Sequence, residues 1–224
     1  QITVGGDSPR LALRVLSSLT APIAIAGPVT SVTVADSVVG LVDAGAASGT
    51  ALDAAQAALD LQRSSFFGSV HGQTLSASDC IFGAPVVAER RQTGCVRFCY
   101  VPPASSVPRR YRCQPQLESD TRIAALRDAA KAAGLSPPTP AAEEMLRAEV
   151  EATVRPLFVS RLYGDPALAQ LDLRCAVQIR TGAESGAEMG AYEQLRQPQR
   201  EANLADALAE YLRLGLTAGV YFAN

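Results

Sequence analysis

Leu13-Arg14-Val15-Leu16-Ser17-Ser18-Leu19-Thr20-Ala21-Pro22-Ile23 sets a pattern that the chain repeats. Beneath it falls Val32-Thr33-Val34-Ala35-Asp36-Ser37-Val38-Val39-Gly40-Leu41-Val42. The two share apolar residues at their first, third, seventh and last positions, with Ser37 under Ser18. A third copy, Leu59-Asp60-Leu61-Gln62-Arg63-Ser64-Ser65-Phe66-Phe67-Gly68-Ser69-Val70, reads with one inserted residue. A fourth, Leu75-Ser76-Ala77-Ser78-Asp79-Cys80-Ile81-Phe82-Gly83, matches the second without a gap: Asp79 under Asp36, Cys80 under Ser37, Gly83 under Gly40.

Each copy is two short strands of alternating character joined by a bend, with a Gly after the second. Gly supplies the backbone freedom for a corner. Copies return after roughly 15 to 28 residues, which is the spacing of β-helix coils and too short for propeller blades. Stacked about 4.8 Å apart, such coils pair nearly every backbone group with the coil above and below. The expectation is a mainly β protein: a right-handed parallel β-helix over residues 1–103, followed by an α/β C-terminal cap over 104–224. One interior ladder should hold Val15, Val34, Leu61 and Ala77, and another Leu19, Val38, Phe66 and Ile81. Ser18, Ser37, Ser65 and Cys80 should line a corner. The Ala-rich stretch at about 43–57 reads as an insertion, a loop carrying a short helix outside the stack.

Past residue 87 the pattern drifts. Residues 95–101 form one more strand, stopped by Pro102-Pro103. A loop with Arg109-Arg110-Tyr111-Arg112 follows. Helices are expected at 121–133 behind an Asp120 cap, at 141–154 with Leu146, Val150 and Val154 on one stripe, and at 166–171 behind Asp165. A last helix at 201–216 should turn Leu204, Leu208, Tyr211, Leu212 and Leu216 inward. Short strands are expected at 157–160 and 219–222.

The chain has 224 residues and a net charge of −2, so nothing overall points to nucleic acid. No apolar run approaches the roughly 20 residues of a membrane span. No signal peptide is visible, and a start at Gln1 leaves room for a lost leader; a cytoplasmic location is expected, free or within a particle. Five cysteines at irregular spacing are not a disulfide framework and read as reduced, mostly buried thiols. No metal or cofactor is expected.

Two stretches carry a family likeness. One runs from Asp79-Cys80-Ile81-Phe82 through Arg90-Arg91-Gln92-Thr93-Gly94-Cys95-Val96-Arg97-Phe98 to Arg109-Arg110-Tyr111-Arg112-Cys113-Gln114-Pro115. The other runs from Tyr163-Gly164-Asp165-Pro166 through Glu188-Met189-Gly190-Ala191 to Gln199-Arg200-Glu201-Ala202-Asn203-Leu204. From about residue 65 to the end, the chain resembles the C-terminal part of uncharacterised β-helix proteins from actinobacteria and cyanobacteria. Some of these accompany phage-tail-like contractile injection systems. Residues 116–156 are longer here than in that pattern. The resemblance supplies no catalytic residues.

Candidate chemistry is sparse. Asp36 and Asp79 in register are placed like the carboxylates that β-helix polysaccharide lyases and hydrolases project from neighbouring coils. A corner Asp bonding its own turn explains the same pattern. His71 reads as a solvated turn residue without a partnered nucleophile. Glu184 and Glu188 stand in a Gly-rich loop that lacks both an EF-hand's Asp-rich half and a phosphate loop's Lys. Arg90, Arg91, Arg97, Arg109, Arg110 and Arg112 with Tyr111 make a candidate interaction surface. The competing expectation is that these arginines pair with Glu118 and Asp120 and hold the cap on the stack. No catalytic residue is assigned. The leading expectation is a non-enzymatic structural or interaction protein, a rigid part of a larger assembly such as a phage-tail-like contractile particle. The runner-up is a carbohydrate-active or carbohydrate-binding β-helix. Protein partners or self-association through the N-terminal coil edge are expected.

Overall fold

The computed structural model describes residues 11–27, 29–40, 49–213 and 216. It is a parallel β-solenoid of three faces. The first face stacks β1 (Leu11–Leu16), β4 (Val29–Ala35), the end of β6 (Thr50–Gln62), the end of β8 (Ser69–Ser78), β11 (Gly94–Arg97) and β12 (Arg110–Tyr111). The second stacks the two-residue strands β2 (Leu19–Thr20), β5 (Val38–Val39), β7 (Ser65–Phe66) and β9 (Ile81–Phe82). The third joins β3 (Ile23–Ala24), the starts of β6 and β8, and β10 (Val86–Ala88). Every pairing between these strands is parallel.

The corner between the first and second faces explains the repeat. Ser17, Asp36, Arg63, Asp79, Phe98 and Arg112 all hold left-handed backbone, with φ between 41° and 56°. For residues other than Gly this costs about 1–2 kcal/mol each. The next residue offsets it. Ser37 donates its hydroxyl to Ala35 O at 2.7 Å and accepts the Ser18 N–H at 3.1 Å. Ser64 repeats this with Gln62 O and the Ser37 N–H, and Cys99 with Arg97 O and the Cys80 N–H. A buried column of small hydroxyls and thiols therefore runs through Ser37, Ser64, Cys80, Cys99 and Cys113.

The ladder Val15–Val34–Leu61–Ala77 forms in the expected register and continues to Val96. The second ladder is corrected by one residue. Val38 pairs with Ser65, and Ser65 with Ile81, so Ser64 and not Ser65 holds the corner place. Val39, Phe66 and Phe82 point inside, where the two phenyl rings stack 5.3 Å apart. Val38 and Ile81 are buried on the outer side of their strands instead. A strand of two residues gives period-two reasoning nothing to fix its phase.

The insertion is also corrected. Residues 50–62 are strand β6, with Ala51, Leu52, Ala54, Ala57, Leu59 and Leu61 buried. The Ala run favours helix by propensity, but lateral pairing with β4 and β8 decides the outcome. What remains of the insertion, 43–48, lies outside the described residues. The stack also runs past residue 103. Arg110–Tyr111 pairs with β11, and Gln114 bridges Tyr100.

The C-terminal part has α1 (Gln116–Ala132), α2 (Pro140–Thr153), α3 (Val177–Arg180) and α4 (Gln197–Tyr211). α1 starts five residues before the expected position (116 against 121), so Asp120 lies inside it and caps nothing. Thr139 caps α2 by accepting the Ala142 N–H, and Pro140 takes the first helical position. No helix forms at 166–171; Asp165 accepts the Ala167 N–H and closes a turn. The expected strand at 157–160 is reduced to bridges at Phe158 and Ser160. α4 ends at Tyr211 and buries no residue: Leu204 and Tyr211 are exposed, as is Leu216 beyond its end. The strand expected at 219–222 lies outside the described residues.

This part covers the stack from the side. Leu168, Ala169 and Ala191 pack on Val38 and Phe67, while Val150, Val154, Cys175, Ile179 and Met189 pack on Ile81 and Tyr100. Arg161 lies 5.2 and 5.3 Å from the ring centres of Phe67 and Phe158. The cover is pinned by two backbone N–H donors: Gly190 N–H to the Asp79 carbonyl at 2.8 Å and Ala191 N–H to the Ser65 hydroxyl Oγ at 3.1 Å.

Candidate functional site

Asp36 and Asp79 are corner residues and do not form a carboxylate pair. Arg63 stands between them in the column and binds Asp36. Asp79 is engaged by the cover: its Oδ1 accepts the Glu184 N–H at 2.7 Å. Burial pushes the Asp79 carboxyl upward, opposed by that bond. The loop carrying Glu184 and Glu188 is therefore a docking loop. Its Ser185 hydroxyl donates to Glu193.

His71 is corrected from a turn residue to a strand residue on the outer side of β8. It lies between two carboxylates of neighbouring coils, Asp53 at 3.3 Å and Glu89 at 2.7 Å. The nearby Ser69 and Thr50 hydroxyls bond each other. The row is open to water, and among the described residues it has no partnered nucleophile. Among the described residues no cluster of His, Cys, Asp and Glu could hold a metal ion. No helix among them is long and apolar enough to cross a membrane.

The arginines form a band on the last coils. Arg97 pairs with Tyr111 across β11 and β12, the Tyr111 ring meets Phe98 edge-on, and the Arg112 guanidinium sits 5.9 Å from the Tyr111 ring centre. Arg110 falls in the interior ladder opposite Val96, at its last rung, and bonds Ser105 O. Arg109 precedes β12, and Arg90 and Arg91 occupy the turn before β11. Arg90, Arg91, Arg97, Arg109 and Arg112 are exposed. Among the described residues none of the six makes an ion pair within 4.0 Å. The expected pairing with Glu118 and Asp120 does not occur. Glu118 is held by Arg122 at 2.7 Å within α1, because the helix begins earlier than its sequence suggests and carries both residues in its own turns.

One pocket escaped sequence reasoning. A cavity of about 220 Å³ opens between the 157–173 segment, α3 and α4. It is lined by Val159, Leu171, Leu173, Tyr192 and Leu195 among apolar groups, and by Arg180, Glu188 and Glu201. Arg180 and Glu201 pair at 2.7 Å. Nothing in the Gly-rich spacing around Glu188 signals it, since its partners come from three separate segments.

Compared with known proteins, the chain matches no family model, no curated protein and no solved structure.

Proposed function

We propose that this protein is a non-enzymatic interaction module, a rigid solenoid that fixes a partner's acidic surface through its last coils. The observation that carries the reading is the band of arginines around Tyr111 that have no ion-pair partner among the described residues. Exposed Arg with a supported aromatic is the composition of binding hot spots. An ordered solenoid backbone spares binding the cost of ordering the main chain that carries them. The resemblance to β-helix proteins that accompany contractile particles supports placing the partner in a large, tail-like assembly.

The test is co-sedimentation from the producing cells. The chain should travel with a large particle and be released in about 1 M salt, where charges are screened beyond about 3 Å. Arg97→Glu with Arg112→Glu should free it while leaving the melting temperature unchanged. A chain that sediments alone at physiological salt overturns the proposal. The carbohydrate reading has one feature in its favour, the Asp53–His71–Glu89 row. Cleavage of a polyuronate, lost in His71→Ala, would establish it instead.

A further inference from the structure

We propose that the cavity beside Glu188 is a binding site for a small organic cation, a primary alkylammonium with a short aliphatic chain. The inference does not depend on the arginine band, which lies on other elements.

The cavity is built rather than incidental. Its volume of about 220 Å³ far exceeds the roughly 10–15 Å³ that one water needs on the same measure. Glu188 is 8% exposed, lines the cavity, and makes no hydrogen bond with its carboxyl among the described residues. Buried carboxyls are ordinarily partnered, so an unpartnered one facing an open space marks where a ligand's group would sit.

The surrounding charges define that group. Arg180, on α3, is engaged by Glu201 on α4 and also bonds Leu173 O. Asp172, in the 157–173 segment, is engaged by Arg174. The Tyr192 hydroxyl donates to Leu168 O. Once these are paired, one acid remains, Glu188. A single positive charge completes the set. The walls set the rest of the ligand: Val159, Leu171, Leu173 and Leu195 offer an apolar surface for a short aliphatic chain. A carboxylate or phosphate would face Glu188 and Glu201 and be repelled. Burial holds the Glu188 carboxyl at about 7, against the pull of Arg180 and with the push of Glu201. A bound cation favours the ionised form, so affinity should rise with pH across this range.

The amine has two possible sources, a free metabolite or a lysine side chain of another protein. The experiment uses the full chain and calorimetric titration with n-butylammonium, butyramide, butyrate and Nα-acetyl-lysine N-methylamide. Butylammonium should bind at least about tenfold tighter than butyramide, with butyrate weakest. Between pH 6 and pH 8 its affinity should rise about tenfold, following the ionised fraction of Glu188. Glu188→Gln should abolish both the binding and its pH dependence. Leu195→Trp, which fills the cavity from its partly exposed rim and leaves the acid in place, should abolish binding as well. A preference for the lysine derivative over butylammonium identifies a protein side chain as the source, and the reverse preference identifies a free amine. Equal binding of butyramide, tighter binding of butyrate, or no binding by any probe overturns the proposal.

Discussion

The guanidinium of Arg63 clamps the carboxylate of Asp36 one coil earlier, through Nε at 2.6 Å and Nη2 at 3.0 Å, and both residues hold left-handed backbone. The side-chain contact is a quarter to a third exposed (26% and 34%), so solvent keeps its contribution to about 1 kcal/mol. Asp36→Asn, which keeps a residue tolerant of this backbone, should cost about that much. Asp36→Val should cost about 1–2 kcal/mol more, because a β-branched residue resists positive φ. Urea midpoints of the two variants decide it, and equal midpoints would show that the left-handed corner puts no such penalty on a β-branched residue.

Gly190 anchors the lateral cover. Its φ is +96°, and a Cβ there would lie 2.5 Å from Ser65 Oγ. Gly190→Ala should therefore cost about 2–4 kcal/mol. The effect should be local: hydrogen exchange at Gly190 and Ala191 should quicken first, while the amides of Val34 and Leu61 in the stack stay protected. Uniform loss of protection would mean that stack and cover unfold as one unit.

How far the sequence shows the fold follows from the length of each element. The first face is legible from β1 to β11 because those strands run four residues or more and alternate, as Val32, Val34 and Leu59, Leu61 do, whereas its two-residue last strand, Arg110–Tyr111, is not. The second face is not, since two residues cannot show a period; for that reason Val38 reads as interior yet lies on the outer side. Alanine hides β6, although it fits the narrow interior, where a Cβ on Gly40 would already touch Ala51 at 2.7 Å. The arginine band is legible as a cluster of like residues between Arg90 and Arg112. Glu188 is visible only as one acid in a Gly-rich loop, because its burial is created by residues far apart in the chain.

Glu188 should leave a signature in stability against pH. Its carboxyl is raised from 4.5 to about 7 by burial. The native state therefore holds a proton that the unfolded chain releases between these values. Stability is greatest below about pH 4.5 for this group and falls as pH rises through 7, by about 3 kcal/mol at most. Glu188→Gln should flatten that part of the profile and raise the melting temperature at pH 8. A profile unchanged by the substitution would place the carboxyl in water.

The thiols should divide sharply. Cys95 is exposed, whereas Cys80, Cys99, Cys113 and Cys175 are buried. Burial pushes the Cys99 and Cys175 thiols up, and Cys113 up to about 12, which disfavours the reactive thiolate. One thiol should react quickly with an aromatic disulfide reagent in the native protein, and four more only at the rate of unfolding. Cys95→Ser should remove the fast phase entirely.

Among the described residues β1 and β2 are the edge strands at the N-terminal end of the stack, and Leu11, Leu16 and Leu19 are exposed there. We expect these to mediate self-association through the N-terminal coil. Val15 is interior, so a lysine there would disturb folding rather than test the edge. Leu16→Lys with Leu19→Lys should convert a dimer or larger species to monomer at micromolar concentration without loss of stability. Sedimentation velocity reads this, and a wild-type monomer would refute it.

The lateral cover also has a consequence for synthesis. Ser65 waits for Ala191, a partner 126 residues later in the chain. At about 5–20 residues per second, ribosomes deliver that partner some 6 to 25 seconds after the coil has emerged. During that interval Val38 and Ile81 face the cell uncovered on a growing sheet. Nascent chains paused before residue 157 should accordingly be the form that chaperones hold, and faster elongation through 116–191 should raise the yield of folded protein.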